Sequence, residues 1–313
     1  MIKLIKHDQV DEVKWNKCIR SAFNGLIYAY TWYLDIVHGE WDALVENDYE
    51  RVMPLTRRKK WGFNYLLQPY FVQQLGVFSK SLLTPAKTME FLANVPGEYR
   101  VWDIRLNSFN KLAEDSNYEV IQHANHLLDL INTHEKINRK YSGQTKRNLR
   151  NSSKHTLTLL KNIKPETIID LFRSYRGKKL GKWRERHYAV LKNLMYASIY
   201  KGSGVAYGVF NEFNELDAGA FFLKSKNRLI FLFSGTSEIA RKNSAMTFLI
   251  DAVIREYAGR QVVLDFEGSD DPQLARFYKG FGAKRITYPG LFLNRLPFPA
   301  DAAFKLYRKI KQG

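Results

Sequence analysis

The stretch LDFEGSDDPQLARFYKGFGAK, residues 264–284, predicts a strand, a sharp turn and a short helix in immediate succession. Its first apolar residues continue a strand predicted over 261–268. An Asp-Asp-Pro sequence follows, in which an aspartate caps the helix and the proline stands in its first turn. Two glycines then end the helix. The stretch therefore places acidic residues and Tyr278 at the carboxyl end of a strand, where α/β proteins commonly bind ligands.

The residues around this stretch predict a mixed sheet. Two strands joined by a short turn, a central strand and an amphipathic helix precede it, and one strand follows it; these are expected at 204–211, 216–225, 228–235, 246–257 and 284–293. The first two strands form a hairpin, which requires antiparallel pairing. The strand–helix–strand crossover requires parallel pairing, so both kinds occur in one sheet.

The first part of the chain also mixes strand and helix patterns. Strands are predicted at 41–47, 49–59 and 99–106, and helices at 9–21 and 116–133. The aromatic and amide-rich stretch 64–78 has two interpretations. It either lines a pocket or forms a buried loop whose amides satisfy backbone groups.

Charge is distributed unevenly along the chain. Residues 1–135 carry 15 Lys and Arg against 17 Asp and Glu, whereas residues 136–313 carry 34 against 14. Two runs, 136–157 and 173–188, each contain seven basic residues, with no acid in the first and only Glu185 in the second. The excess predicts an anionic partner for the second part: a CoA-type nucleotide, tRNA, an acidic carrier protein or a lipid surface. The alternative is a solvated basic face that only confers solubility.

Composition indicates a globular protein of a reducing compartment. Cys18 is the only cysteine, so no intramolecular disulfide forms. No apolar run approaches the roughly 20 residues of a membrane span, and charge begins too early in the sequence for a signal peptide. A cytoplasmic protein is expected.

The segment ARFYKGFGA, residues 275–283, resembles the A-x-x-[FL]-Y-x-x-[LF]-G pattern of the GNAT acyltransferases. The order of predicted elements resembles the same superfamily, and the region from residue 142 to 284 is similar to its Fem-type and BioF2-like branch. That resemblance implies an α+β, mixed-sheet GNAT-like fold that is duplicated. It implies a degenerate, substrate-side domain at 1–140 and a catalytic domain at 141–313.

The branch contains transferases fed by aminoacyl-tRNA and proteins described as acetyl-CoA acyltransferases. In Fem-type enzymes a lysine usually stands where this chain has Tyr278, whereas CoA-dependent GNAT enzymes have the tyrosine. The resemblance therefore implies acyl transfer from acetyl-CoA or another acyl-CoA, without a metal, to an amine on a small molecule or envelope precursor. Two alternatives stay open: Fem-type transfer from aminoacyl-tRNA, and a non-catalytic binding protein on the same fold.

The phosphate-binding loop departs from the GNAT pattern [QR]-x-x-G-x-[GA]. The chain reads RKNSAM here, so a serine and a methionine replace the two small positions. The residues expected to contact the cofactor are Arg241, Lys242, Asn243 and Ser244. The two cations supply the charge that attracts phosphate.

Acyl transfer to an amine needs a proton acceptor, an oxyanion site and a proton donor. Alternation along a strand predicts that Asp265 and Glu267 share one face and that one of them takes the amine proton. Backbone N–H groups near Ser234 and Gly235 are expected to bind the carbonyl oxygen. Tyr278 is expected to protonate the leaving group.

These side chains also have ordinary structural interpretations. The acids are equally explained by ion pairs with Arg241 or Arg276. Tyr278 is explained as a core residue. His123 and His126 have metal-like helical spacing but no third ligand nearby, and a solvated pair is expected.

Overall fold

The computed structural model of the chain describes residues 1–113, 118–178, 183–268 and 270–312, without the side chains of 307 and 309–312. The chain divides into two compact units. Unit 1 consists of Met1–His123 and Thr287–Gly313, and unit 2 of Ala124–Ile286. Within the described residues, no helix combines the length and the apolar character that crossing a membrane requires.

The strands are numbered along the chain. They are β1 (Ile2–Ile5), β2 (Trp41–Glu46), β3 (Arg51–Lys60), β4 (Phe63–Leu67), β5 (Phe78–Ser79), β6 (Tyr99–Arg105), β7 (Glu119–Asp129), β8 (Thr158–Lys161), β9 (Gly204–Phe210), β10 (Leu216–Ser225), β11 (Arg228–Thr236), β12 (Val263–Asp265) and β13 (Lys284–Asn294).

The helices are numbered in the same way. They are α1 (Glu12–Ser21), α2 (Thr31–Val37), α3 (Pro85–Ala93), α4 (His134–Arg139), α5 (Gly143–Ser152), α6 (Pro165–Phe172), α7 (Glu185–Tyr200), α8 (Ile239–Lys242), α9 (Ala245–Tyr257), α10 (Pro272–Gly280) and α11 (Ala300–Gln312). A π-helical turn, Arg173–Gly177, directly follows α6.

Unit 1 is built on strands in the order β1, β2, β3, β4, β6 and β13, with β5 also paired to β3. All these pairings are antiparallel except that of β4 with β6, which α3 connects. Phe91 of α3 packs with Leu66 and Trp102 of the sheet in a buried cluster. The strands predicted at 41–47, 49–59 and 99–106 and the helix predicted at 9–21 are confirmed.

Unit 2 repeats this topology. Its strands follow the order β8, β9, β10, β11, β12 and β7, and the one parallel pairing among those described, β11 with β12, is again connected by a helix, α9. The apolar stripe of α9, including Leu249, Ile250 and Val253, packs on the sheet as the 3.6-residue period predicts. The predicted mixed sheet is confirmed.

Each unit completes its sheet with a strand from outside its own half of the sequence. In unit 1 the last strand is Gly290–Asn294 of β13, paired with β6. In unit 2 it is the end of β7, where Asp129 lies opposite Val263. The units therefore divide at 123/124 and 286/287, whereas the sequence was expected to divide once, after residue 140.

The helix predicted at 116–133 is wrong where the structure describes that segment, from residue 118 onward. Residues 119–129 form β7 instead. Antiparallel pairing of Leu127, Leu128 and Asp129 with β12 decides the conformation, because this contact between segments far apart in sequence overrides the local pattern.

The two central strands of unit 2, β11 and β12, end at different levels of the sheet. β12 ends at Asp265, opposite Ile230, but β11 continues to Thr236. Leu232 forms a bulge between Phe231 and Phe233, which bends β11. On the β12 side, the end of β11 has no strand partner in the described part of the chain.

Candidate active site

Tyr278 lies on α10, which begins as the sequence predicts. The N-cap Asp271 accepts hydrogen bonds from the N–H groups of Gln273 and Leu274 at 2.8 and 3.4 Å. The Tyr278 side chain is 7% exposed. Its ring stacks on Phe266, just past the end of β12, with centroids 4.7 Å apart. The strand end and the helix therefore hold the phenol in one orientation.

Burial raises the pKa of Tyr278 above its ordinary value, and the charges of Glu267 and Asp271 raise it further. The guanidinium of Arg176 partly opposes them. Arg176 lies 3.9 Å from the Asp271 carboxylate and belongs to the π-helical turn. The Tyr278 hydroxyl thus remains protonated at neutral pH, in surroundings that contain both negative and positive side chains.

Asp265 is engaged in a structural ion pair. It is 1% exposed, and its carboxylate lies 2.5 Å from Nη1 of Arg228 and accepts the Glu267 N–H at 2.9 Å. Leu264 and Phe266, on either side of it, pack in the core cluster that contains Tyr278. Asp265 is therefore bound to Arg228 rather than to Arg241 or Arg276.

Glu267 does not share a strand face with Asp265 as expected. β12 stops at Asp265, and Glu267 has a left-handed backbone conformation with φ 58°. Strand alternation consequently does not set the direction of its side chain. Its charge acts on Tyr278, and it is partly buried.

Part of the second basic run, residues 173–188, lies near the N-terminus of α10. Arg173 binds the Glu185 carboxylate through both terminal nitrogens, at 3.1 and 2.6 Å, and its guanidinium lies over the Tyr188 ring. Arg176 reaches Asp271. Residues 179–182 of the run lie outside the described residues. The run is thus partly structural and partly directed at the α10 N-terminus.

Gly235 has a steric reason to be glycine. A Cβ at this position would lie 2.7 Å from the Ile168 carbonyl oxygen and 2.8 Å from the Phe172 nitrogen, both in α6. The helix therefore packs directly on the β11 backbone. Ser234 precedes it and is partly buried. The oxyanion role of these backbone N–H groups stays a prediction.

A buried carboxylate, that of Asp217, holds the expected phosphate loop, residues 241–244, through hydrogen bonds. Asp217, 1% exposed, accepts hydrogen bonds from Ser237 Oγ at 3.0 Å and from Asn243 Nδ2 at 2.5 Å. Asn243 in turn accepts the Ala245 N–H at 3.1 Å. The Asn243 side chain is thus committed to holding the loop rather than to a ligand.

The loop is hydrogen-bonded to α5, a contact that the sequence did not predict. Asn151 donates to the Lys242 carbonyl oxygen at 2.6 Å and to Ser244 Oγ at 3.2 Å. Ser244 itself adopts a left-handed conformation at the start of α9, with φ 60°. At the other end of α5, Ser142 is the N-cap and accepts the Thr145 N–H at 3.1 Å.

This junction brings cations from two parts of the sequence to one surface. The basic surface comprises Arg147 and Arg150 of α5 with Arg241 and Lys242 of α8, all exposed. None of the four forms an ion pair within the described part of the chain. The first basic run and the predicted phosphate loop thus contribute to one anion-attracting region of unit 2.

His126 was missed by the sequence interpretation. It is fully buried on β7, and neither ring nitrogen has a hydrogen-bond partner among the described residues. Its ring lies 5.9 Å from that of Tyr278, centroid to centroid. Burial lowers its pKa, and the charges of Lys279 and Arg285 lower it further. Assigning the segment to a helix led to the wrong expectation of a solvated pair.

The sequence matches no protein-family model and no curated protein. Solved structures, however, share the fold over nearly the whole chain. FemX has a TM-score of 0.64 at 11% identity, covering 92% of this chain and 96% of its own. A conserved protein of unknown function from Bacteroides thetaiotaomicron has 0.58 at 8%, covering 94% and 100%. L-PGS from Bacillus licheniformis has 0.54 at 11%, covering 96% of each.

At this level of identity the likeness is one of fold. Together with the topology of the two units, it confirms the predicted α+β, mixed-sheet GNAT-like class.

Proposed function

We propose that the protein is an acyltransferase that moves an acyl group from a phosphate-bearing carrier to an amine. The amine nitrogen attacks the acyl carbon, a C–N bond forms, and the C–O or C–S bond to the carrier breaks. One proton leaves the amine and one reaches the carrier. The observation that carries this proposal is the buried Tyr278 side chain of α10, whose ring stacks on Phe266 just past the end of β12.

Tyr278 is the proposed proton donor to the leaving group. A phenol with a raised pKa is a poor match for a thiolate, whose conjugate acid has a pKa near 8.5, because the proton would move to the weaker base. It suits a more basic alkoxide, the leaving group of an ester. This favours an ester-linked acyl donor such as aminoacyl-tRNA.

The basic surface is the proposed carrier site. Four exposed cations at the junction of α5 and α8 suit a phosphate backbone, which binds mainly through Lys and Arg contacts. Unit 2 carries 29 Lys and Arg against 15 Asp and Glu, so its excess of positive charge is large. FemX and L-PGS share the fold, which agrees with the Fem-type assignment.

Acyl-CoA is the second candidate donor. Tyr278 stands where the Fem-type pattern has lysine, and Arg241 and Lys242 remain exposed at the loop that would hold a pyrophosphate. The proposed acceptor in either case is an amine on a small metabolite or an envelope precursor.

The test uses both donors. Purified protein is incubated with a mixture of charged tRNAs or with acetyl-CoA, each with a panel of amines, and the acyl product is followed by mass spectrometry. We expect a new amide from one donor and its loss in Tyr278→Phe. Binding without turnover of either donor would instead support a non-catalytic protein.

A further inference from the structure

The hairpin that joins β3 to β4 in unit 1 carries basic and aromatic side chains at its tip. Its sequence over residues 57–61 is RRKKW. Arg58 and Lys59 are exposed, and neither forms an ion pair with a residue that the structure describes. The Lys60 ammonium lies 4.0 Å from the centre of the Trp61 ring, and Trp61 is 58% exposed. The hairpin tip therefore presents positive charge and a large amphipathic ring together to solvent.

The geometry of the turn does not account for the tryptophan. Lys60 pairs with Phe63, so Trp61 and Gly62 are the two turn residues, and their φ angles are 51° and 80°. Positive φ at both positions is what a type I′ turn requires, and asparagine followed by glycine is preferred there. A bulky residue with positive φ is strained. Because neither the turn nor burial explains a tryptophan here, we look for its role at the surface.

The C-terminal helix α11 lies beside this hairpin. The Phe304 ring of α11 is 6.2 Å from that of Tyr65 on β4, centroid to centroid, and the same cluster includes Phe63, two residues after Trp61. Side chains alternate along β4, so Tyr65 packs with α11 whereas Leu66 packs in the cluster of α3. The hairpin and α11 thus border the face of the unit 1 sheet that lies opposite α3.

The side of α11 that faces away from the sheet adds apolar side chains. Phe304 and Arg308, one turn apart, face the sheet, and the Arg308 guanidinium lies 3.5 Å from the centre of the Phe292 ring. Leu306 is midway between them in sequence, so it lies on the other side of the helix, where it is 62% exposed. Phe298, in the segment that leads into α11, is also exposed. Large apolar side chains therefore reach solvent from the helix as well as from the hairpin.

We propose that the tip of the β3–β4 hairpin and the exposed side of α11 dock on an anionic lipid surface. Such a surface attracts cations that lie close to it, as Arg58 and Lys59 would. Tryptophan is enriched at the boundary between headgroups and acyl chains, because its ring is amphipathic. Exposed apolar side chains of a helix that lies in this boundary enter the same layer. A nucleic acid would engage the cations but has no apolar layer for Leu306.

The first test measures the contribution of charge. Binding to phosphatidylcholine vesicles with and without phosphatidylglycerol is measured by co-sedimentation, and we expect binding only where phosphatidylglycerol is present. The double variant Arg58→Ala and Lys59→Ala should bind about fivefold more weakly for each lost cation. The control is Arg147→Ala with Arg150→Ala, which removes the same charge from the basic surface of unit 2. Equal losses in the two double variants would overturn the proposal.

The same variants distinguish lipid from nucleic acid. The hairpin variant should bind tRNA as the wild type does while it binds vesicles more weakly. Loss of tRNA binding with full retention of vesicle binding would instead assign the hairpin to a nucleic acid and refute lipid docking.

The second test measures the contribution of the apolar side chains. Trp61→Asn places the residue that the turn prefers, so the variant should keep its resistance to urea while vesicle binding falls several-fold. Leu306→Ala should weaken vesicle binding in the same way. Its matched control is Leu82→Ala, an exposed leucine next to Leu83 of the α3 cluster. Unchanged vesicle binding in Trp61→Asn or in Leu306→Ala would contradict the proposed surface.

A third measurement reports the position of the tryptophan directly. Vesicles with brominated acyl chains quench the fluorescence of tryptophans that enter the lipid layer, and the proteins are compared at vesicle concentrations that bind each of them completely. We expect strong quenching in the wild type and much less in Trp61→Asn. Equal quenching in the two proteins would show that Trp61 stays outside the lipid. None of these measurements depends on acyl transfer, so the docking surface and the proposed function can fail separately.

Discussion

At the scale of single residues, Tyr278 has a packing role that the structure shows and a chemical role that we propose. Its ring is fixed by stacking on Phe266, and the hydroxyl is kept protonated by burial and by Glu267. These roles belong to different atoms of the side chain. A substitution that removes only the hydroxyl therefore separates them.

The variant Tyr278→Phe should lose turnover and keep the fold. We expect kcat to fall by about 10²-fold or more, because a positioned proton donor contributes about that much. The free energy of unfolding should change by less than about 1 kcal/mol, since the stacked ring remains. Steady-state kinetics and urea unfolding check the two effects, with Tyr196→Phe, which removes an exposed hydroxyl bound to Glu166, as the control. Undiminished turnover would remove Tyr278 from the mechanism.

His126 predicts a pH dependence of stability. Its pKa in the folded state lies below the ordinary value of 6.5, so the unfolded chain binds this proton more readily. The free energy of unfolding should therefore fall as the pH drops below about 6.5 and level off below the folded-state pKa. The slope should be smaller in His126→Gln. Urea titrations between pH 7.5 and about 4.5 measure it; an unchanged slope would contradict the assignment.

The identity of the site residues was only partly accessible from sequence. Tyr278 could be found because the segment around it, ARFYKGFGA at 275–283, resembles the GNAT pattern. Asp265 could not be assigned, because its partner Arg228 comes from the paired strand and lies far from it in sequence. His126 was hidden because its burial depends on the same long-range pairing.

At the scale of elements, α6 packs directly on the backbone of β11 at Gly235. The contact is close because Gly235 has no side chain. Gly235→Ala should destabilise the protein by about 1–3 kcal/mol, since the helix backbone must move. Thermal and urea unfolding test this. Gly97→Ala is the matched control, because a Cβ there meets nothing within 4 Å. Equal stability of the two variants would refute the close approach.

The junction between α5 and α8 should strengthen binding of the carrier. Asn151→Ala removes the amide that holds the Lys242 carbonyl and Ser244 without changing any charge. We expect several-fold weaker binding of the carrier, measured by calorimetric titration. Asn94→Ala, which removes an amide bonded to the Glu90 carbonyl in unit 1, is the control. Unchanged affinity for the carrier in Asn151→Ala would show that the junction of α5 and α8 does not organise the basic surface.

Elements with strong local signals could be predicted, and those set by distant pairing could not. The α9 stripe and the Asp-Pro start of α10 are encoded within a few residues. β7 is not, since its conformation depends on β12, more than 130 residues later. The same dependence explains why the exchange of final strands between the two halves escaped the sequence analysis.

At the scale of the whole molecule, the repeated topology and the uneven charge indicate different tasks for similar units. Unit 2 combines the basic surface with Tyr278, and it carries most of the net charge of +18. Binding of tRNA should therefore weaken steeply as salt rises. Each lost phosphate contact should lower the slope of log K against log salt by about one.

Replacement of cations on the basic surface tests this. The double variant Arg147→Ala and Arg150→Ala should bind tRNA more weakly and with a shallower salt dependence than the wild type. Arg58→Ala on β3, an exposed position in unit 1, should not. Equal slopes in all three proteins would place the carrier elsewhere.

The central claim is that unit 2 transfers an acyl group with Tyr278 as the proton donor. The most direct measurement is the single-turnover rate of amide formation from saturating charged tRNA, compared between wild type and Tyr278→Phe, with acetyl-CoA in parallel. The account predicts transfer from charged tRNA by the wild-type protein and a rate lower by about 10²-fold in the variant, at equal donor binding. Equal rates in the two proteins, or no transfer from either donor, would contradict it.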